Sequence, residues 1–463
     1  MLDIIFKITD WLWAYPMLIV MVGGGLYLSI QLKFMQFVKL PMILKRTIIQ
    51  SFNQKGKDGK ISGYQAVTAA LASTLGTGNI VGVAFAVAYG GPGAVFWMWI
   101  VGLVACAIKF SEIIIAIKYR HINEAGDYVG GPMYYLSRGT PFKWLGSVYA
   151  VSAVVVLAIA SAVQAGSVVD SVQFIHINRY VSTVTVALIV VIVVYGGIRR
   201  IVSITEKMVP VMSLVYVIGG LTVIAINYQA LPGVIESIFV HAFTATSATG
   251  GFIGSTLALT IRWGVARGIY SNDSGNGLTS ITHSNATIKH PVQQGMWGVF
   301  EVLFSTMFVC SITAFAVLTS GIWTELPSNQ ASSMTIQAYQ GALGTSLGGG
   351  IVSFSLFLFA LSTIIAFFYF GEKQMERLFG LKVAKVTKFI YCCFVILGGI
   401  HGVDNLIKIL DFFNAIFILV NMFGIFWMTK QIKALKEEYF ADPEYYDKPE
   451  VPTYKPYEPE TNK

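Results

Sequence analysis

Apolar runs of about twenty residues recur along the whole of this chain, and each is long enough to cross roughly 30 Å of hydrocarbon. A segment inside a bilayer must satisfy its own backbone polar groups, and runs of this length do so as helices. Spans are predicted at 11–31, 63–88, 93–117, 146–170, 181–198, 208–227, 236–261, 295–320, 347–370, 388–400 and 404–428. The fold class is therefore an all-α membrane protein of about eleven transmembrane helices. Composition agrees. Of the 463 residues 55% are apolar and only 12% charged, against roughly 25% charged in a soluble domain. The first run, from Trp11 to Ile30, lacks a basic leader and reads as a retained helix.

Loop charge sets an expected orientation. Residues 32–61 carry Lys33, Lys39, Lys45, Arg46, Lys55, Lys57 and Lys60. Every second loop after that is also basic, with Lys118, Arg120, Arg138 and Lys143, then Arg199, Arg200 and Lys207, then Arg262, Arg267 and Lys289, then the Lys373–Lys388 stretch. The intervening loops are nearly bare. The positive-inside rule then places the N-terminus outside and the C-terminus in the cytoplasm of a cell inner (plasma) membrane. The net charge of +8 thus faces membrane lipid and not nucleic acid. Residues 437–463 turn to Tyr, Pro and Glu, a composition read as a disordered tail. Cys106, Cys310, Cys392 and Cys393 show no metal-ligand spacing and read as buried structural thiols.

Two spans look interrupted. Ser73-Thr74-Leu75-Gly76-Thr77-Gly78-Asn79 lies mid-span, its glycines costing a helix about 1 kcal/mol each and its hydroxyls competing for backbone bonds. Unwound, such a segment turns half-helix N–H groups toward an anion and frees carbonyls for a cation. The plainer alternative is a packing face of small residues at Gly76, Gly78 and Gly82. The second candidate runs from Thr244 to Gly254, in a span of opposite direction, and interrupted helices in two inverted halves point to a transporter site. Ser362-Thr363 either bond back to their own helix or supply oxygens to a hard cation.

Tyr89-Gly90-Gly91-Pro92-Gly93-Ala94-Val95-Phe96-Trp97-Met98-Trp99 resembles a signature of the alanine or glycine:cation symporter (AGCS) family, the sodium/alanine symporters. Thr77-Gly78-Asn79-Ile80, Gly130-Gly131-Pro132-Met133-Tyr134, Gly264-Val265-Ala266-Arg267-Gly268 and Tyr369-Phe370-Gly371-Glu372-Lys373 support it in family order. The resemblance implies a five-plus-five inverted repeat, similar to leucine-type neurotransmitter-sodium symporters, with one extra N-terminal helix. It divides the chain into 1–62 (leading helix and basic loop), 63–228 (first repeat), 229–430 (second repeat) and 431–463 (cytoplasmic tail). It implies a Na+-coupled symporter of a small neutral amino acid such as alanine or glycine, with no other cofactor. A proton-coupled or differently specific transporter of the same fold is the alternative. By the same resemblance Thr77 and Gly78 N–H groups meet the substrate carboxylate, and Thr74 and Asn79 lie near substrate or cation. Gln164 reaches the substrate, Gly250, Gly251 and Phe252 line the far wall, and Na+ sits among Ala72, Leu75, Ser362 and Thr363.

The chain departs from the family at Ser271-Asn272-Asp273-Ser274-Gly275-Asn276-Gly277-Leu278-Thr279-Ser280, read as a cytoplasmic gate or loop. It departs again at Ser305, where the family carries an acid, and at Phe367, where it carries Trp. Lys109 and Glu112, at i and i+3, are expected to pair with each other or snorkel. Glu301 is a candidate to compensate for Ser305, and His241, His283, His290 and His401 read as interfacial. No nucleophile elbow, His-Glu-x-x-His or mid-span acid dyad appears, so no enzyme is expected.

Overall fold

The computed structural model describes residues 7–9, 11–13, 15–49, 61–172, 177–245, 254–401 and 404–458. They are overwhelmingly helical, with one short hairpin pairing His121–Ile122 with Tyr128–Val129. Among them seven helices are long and apolar enough to cross a membrane: Lys7–Gln31, Gly93–Lys118, Leu145–Ser171, Gly197–Ile226, Pro291–Thr319, Thr345–Ile400 and Ile409–Trp427. An eighth is the pair Gly63–Thr74 and Thr77–Gly90, bent by 65°. The helix from Thr345 folds back at Gly380, whose φ of 81° a residue with a Cβ seldom adopts. Lys388 then reaches Glu372 at 3.1 Å, and Tyr391 packs its ring edge-on against Phe368.

Two interrupted helices cross the body in opposite directions. The first starts at a capping box, in which Ser62 Oγ accepts from Gln65 N and Gln65 Oε1 accepts from Ser62 N, and runs 63–90. The second begins beside the far end of the first: the Ser255 and Thr260 hydroxyls both donate to Gly90 O, at 3.0 and 2.8 Å. It continues as Leu257–Asn272, breaks, resumes at Thr279–His283, and ends where the first began, with Thr287 N donating to Ile61 O at 2.9 Å. Gly264 lets it lie against Gly93–Lys118 backbone to backbone, since a Cβ there would sit 2.3 Å from Ala94 O.

The break between Asn272 and Thr279 is additional to the interruption expected at Thr244–Gly254, most of which lies outside the described residues. The span expected at 236–261 is instead a short helix, Leu231–His241, followed by residues 246–253, which lie outside the described ones. The crossing helix starts only at Leu257. Arg262 and Arg267, counted as loop charges, belong to that helix. The Arg267 guanidinium lies 4.9 Å from the Trp263 ring and 5.8 Å from those of Phe85 and Tyr270, and aromatic faces take up a cation that hydropathy alone assigns to water.

The expected disordered tail is, through Glu458, a strap. Thr429–Ala441 is helical, and the chain beyond it lies against residues around Arg46, Arg120 and Ile288. Asp447 takes a bidentate ion pair from Arg46, both contacts at 3.0 Å. Tyr454 N donates to Ile288 O, Tyr457 N donates to Arg120 O, and Arg120 Nη2 returns a bond to Tyr454 O. The His290 ring is ringed by Tyr439, Tyr446 and Tyr454. Tyr-rich composition cannot build a core alone, but here it covers one the loops already provide.

Candidate functional site

The first break opens at Leu75, where ψ turns to 87°, and Gly76 is extended before a single 3-10 turn, Thr77–Asn79. Asn79 braces the gap. Its Oδ1 accepts from Gly76 N at 3.0 Å, its Nδ2 donates to Ser271 O and Ser305 O at 3.3 and 3.4 Å, and its carbonyl accepts from Thr313 at 2.8 Å. Thr77 and Gly78 head the new turn, so their N–H groups have no partner within it.

The second break, Asp273–Leu278, faces it. Asp273, Gly275 and Gly277 have φ of 51°, 88° and 74°. Asn272 and Asn276 each accept from the backbone two residues on, at 3.0 and 2.9 Å, side-chain turns that stand in for the missing helix bonds. Tyr149 Oη donates to Asn276 O and Asn421 Nδ2 to Gly275 O, so neighbouring helices take up freed carbonyls.

A small cavity of about 70 Å³ lies between the breaks, lined by Thr77 and Gln164 together with Asp273, Ser274 and Asn276, and closed by Val156, Ala160, Ile269 and Phe367. Among the described residues, Gln164 Oε1 and Ser274 Oγ are buried without a protein partner. The stretch read as a gate or loop thus forms a cavity wall. The wall expected from Gly250, Gly251 and Phe252 lies outside the described residues.

On the other side of Leu75 the carbonyls of Ala72, Ser73 and Leu75 converge on Thr363 Oγ1, at 3.3, 3.3 and 3.5 Å. A hydroxyl carries one hydrogen, and its shortest contact is Phe359 O at 2.9 Å. The other three exceed the ordinary O–H···O limit of about 3.0 Å. Three carbonyls therefore face a hydroxyl lone pair, an arrangement that lacks positive charge. Ser362 is not part of this convergence: its hydroxyl donates to Phe359 O at 2.8 Å and faces Met212 Sδ.

Thr74 turns the opposite way. Its hydroxyl donates to Glu301 Oε1 at 2.6 Å. Lys109 Nζ lies 3.5 Å from that same oxygen, and His283 Nε2 lies 3.0 Å from Oε2, all these side chains being fully buried. Gln294 Nε2 sits 2.7 Å from His283 Nδ1. An amide nitrogen only donates, so Nδ1 accepts and Nε2 carries the hydrogen given to Glu301. Two expectations are corrected. Lys109 pairs with Glu301 while Glu112 accepts from Asn421 at 2.7 Å, because i, i+3 spacing cannot compete with a carboxylate brought in by another helix. His283 is not interfacial but buried, held by two hydrogen bonds. The sequence signal for the second break was present in the two glycines among Asn and Asp. For the Lys109–Glu301 pair there was none beyond each being ionisable within a span.

The sequence profile described as the sodium:alanine symporter family matches residues 1–452. The uncharacterized transporter YflA of Bacillus subtilis is 42% identical, over 95% of this chain and 93% of its own. The sodium/alanine symporter AgcS of Methanococcus maripaludis is 32% identical, over 92% and 94%. The crystal structure of MhsT in complex with L-phenylalanine superposes with a TM-score of 0.52 at 14% identity, over 80% of this chain and 89% of that one, a likeness of fold. A helical membrane transporter with two opposed broken helices, matched along nearly its whole length, this chain belongs to the sodium:alanine symporter family.

Proposed function

We propose that the protein is a Na+-coupled symporter importing a small neutral amino acid such as alanine or glycine by alternating access. The observation that carries this reading is the convergence of the Ala72, Ser73 and Leu75 carbonyls on Thr363. A hard cation is what such an oxygen cluster takes, and Na+ there would hold the segment from Leu75 to Asn79 unwound. Ser362 joins the cation shell by turning its hydroxyl from Phe359 O. In this reading the Thr77 and Gly78 N–H groups receive the substrate carboxylate, and Gln164 Oε1 and Ser274 Oγ receive its ammonium. A cavity of about 70 Å³ with Phe367 in its wall suits a compact side chain.

Eleven crossings with the N-terminus outside are drawn from the described helices, with Leu231–His241, Ala331–Leu343 and Thr429–Ala441 left as non-crossing. The eleven are the seven apolar helices with the Thr345–Ile400 helix counted twice at Gly380, the two broken helices, and Arg179–Val194. The opposed broken helices then head two inverted five-helix repeats. Arg46, Arg120 and Lys289 all touch the C-terminal strap, which supports one basic face, the cytoplasmic one. Uptake of labelled alanine and glycine into proteoliposomes, with and without an inward Na+ gradient, tests the proposal. Gradient-driven accumulation is expected, and uptake indifferent to Na+ removal sinks it.

A further inference from the structure

One buried ion pair reaches both broken helices. Lys109 Nζ donates to the carbonyl of Asp273, the first residue of the second break, at 2.8 Å, and to Thr279 Oγ1, where helix resumes beyond it, also at 2.8 Å. It faces Glu301 at 3.5 Å, and Glu301 takes the Thr74 hydroxyl at 2.6 Å, one residue before Leu75. His283 holds the second carboxylate oxygen, and Gln294, which orients His283, also donates to Gly63 O at the start of the first broken helix. The whole assembly is excluded from water, so its geometry is set by charge and hydrogen bonding rather than by solvent. Glu301 fixes the rotation of the turn whose carbonyls meet Thr363. Lys109 fixes the backbone of the turn whose side chains line the cavity.

We propose that Lys109 and Glu301 form a positioning pair that couples the two sites. A cation among the Ala72, Ser73 and Leu75 carbonyls constrains Thr74, Thr74 constrains Glu301, and Lys109 carries that constraint to Asp273 and the cavity wall. The pair touches neither ligand. Its contribution is the differential affinity for substrate between cation-bound and cation-free states, which by linkage is the same factor seen from either ligand. The inference rests on the Na+-coupled reading above.

The test measures equilibrium binding of labelled alanine to full-length protein in nanodiscs, with Na+ or with choline in its place. The variants are Lys109→Met/Glu301→Met and, separately, Thr74→Val. The double change removes both charges at once and so avoids stranding one in the interior. Thr74→Val cuts only the bond from the broken helix to the carboxylate and keeps the ion pair. Wild type is expected to bind alanine at least about fivefold more tightly in Na+, the lower range of ordinary coupling. In the double variant that ratio should fall to within about twofold of unity while thermal unfolding stays cooperative, and in Thr74→Val it should fall by at least about half. A wild-type ratio retained in Thr74→Val, or in a folded double variant, overturns the proposal. A wild type that binds alanine equally in Na+ and choline instead fails the symporter reading itself.

Discussion

The last turn before Leu75 has two faces, and they treat buried polarity in opposite ways. Toward Thr363 it presents three carbonyls and no charge. Toward Glu301 it presents one hydroxyl to a carboxylate that already has its counter-ion in Lys109 and a second donor in His283. In the proposed reading the first face takes its positive charge from solution, whereas the second carries it on a side chain. A site that must release its ion at each cycle suits the first design, and a joint that must hold throughout suits the second.

The comparison breaks most readily at the charged face. Lys109→Met alone leaves Glu301 buried and uncompensated, which should cost about 3–5 kcal/mol. Thermal unfolding in detergent reads this directly, and Glu301→Met in the same chain should restore most of the loss. Next comes Thr363→Ala, expected to weaken Na+ affinity about tenfold, or ~1.4 kcal/mol, while alanine affinity at saturating Na+ changes less. If Na+ affinity is unmoved, the carbonyl face is not the cation site. Gly76→Ala sharpens the contrast by pure bulk: its Cβ would lie 2.9 Å from Thr363 Oγ1 and 3.3 Å from Gln164 Nε2, an overpacking of about 1–3 kcal/mol. Both ligands should bind more weakly there. Ser362→Ala, whose hydroxyl bonds its own helix, should shift Na+ affinity less than Thr363→Ala does in the same assay.

The smallest effects belong to the strap, where water shares the charges. Asp447 is half exposed, so Asp447→Ala should cost no more than about 1 kcal/mol. His290 is held down to about 4 by burial, and Glu438, 3.7 Å away and mostly exposed, does not offset it. A folded value below the ordinary one of about 6.5 means the docked strap is fully stabilised above that pH and loosens as pH falls toward 4. Protease sensitivity of residues 442–458 should therefore rise across that interval, and His290→Gln should flatten the rise.

The first break was legible because glycine and hydroxyl residues interrupt an otherwise uniform apolar run at Ser73–Asn79. The break at Asp273–Leu278 was not foreseen, for a physical reason. Asp273, Arg262 and Arg267 read as loop charges, and nothing in a linear pattern says that an arginine is covered by Trp263 and Tyr270. The helix was accordingly ended too early, and the Ser-Asn-Asp turn was sent to a loop instead of the cavity wall. Lys109 and Glu301 were each visible as ionisable residues in apolar segments. Their partnership is tertiary, made by packing Gly93–Lys118 against Pro291–Val302, where a Cβ at Gly298 would lie 3.0 Å from Lys109 Cγ. Local spacing favoured Glu112 and was overridden. The strap was hidden for a different reason, since several of its hydrogen bonds use backbone groups, which are the same in every sequence.

That strap has a bearing on how the molecule is made. Arg46, Arg120 and Ile288 leave the ribosome long before Asp447, Tyr454 and Tyr457, to which they are tied in the finished protein. During synthesis this face must therefore stay unclasped while every helix is inserted and the two interrupted ones find each other. A chain stopped shortly after Trp427 would hold all its membrane-crossing helices yet lack the segment that clasps Arg46, Arg120 and Ile288 together.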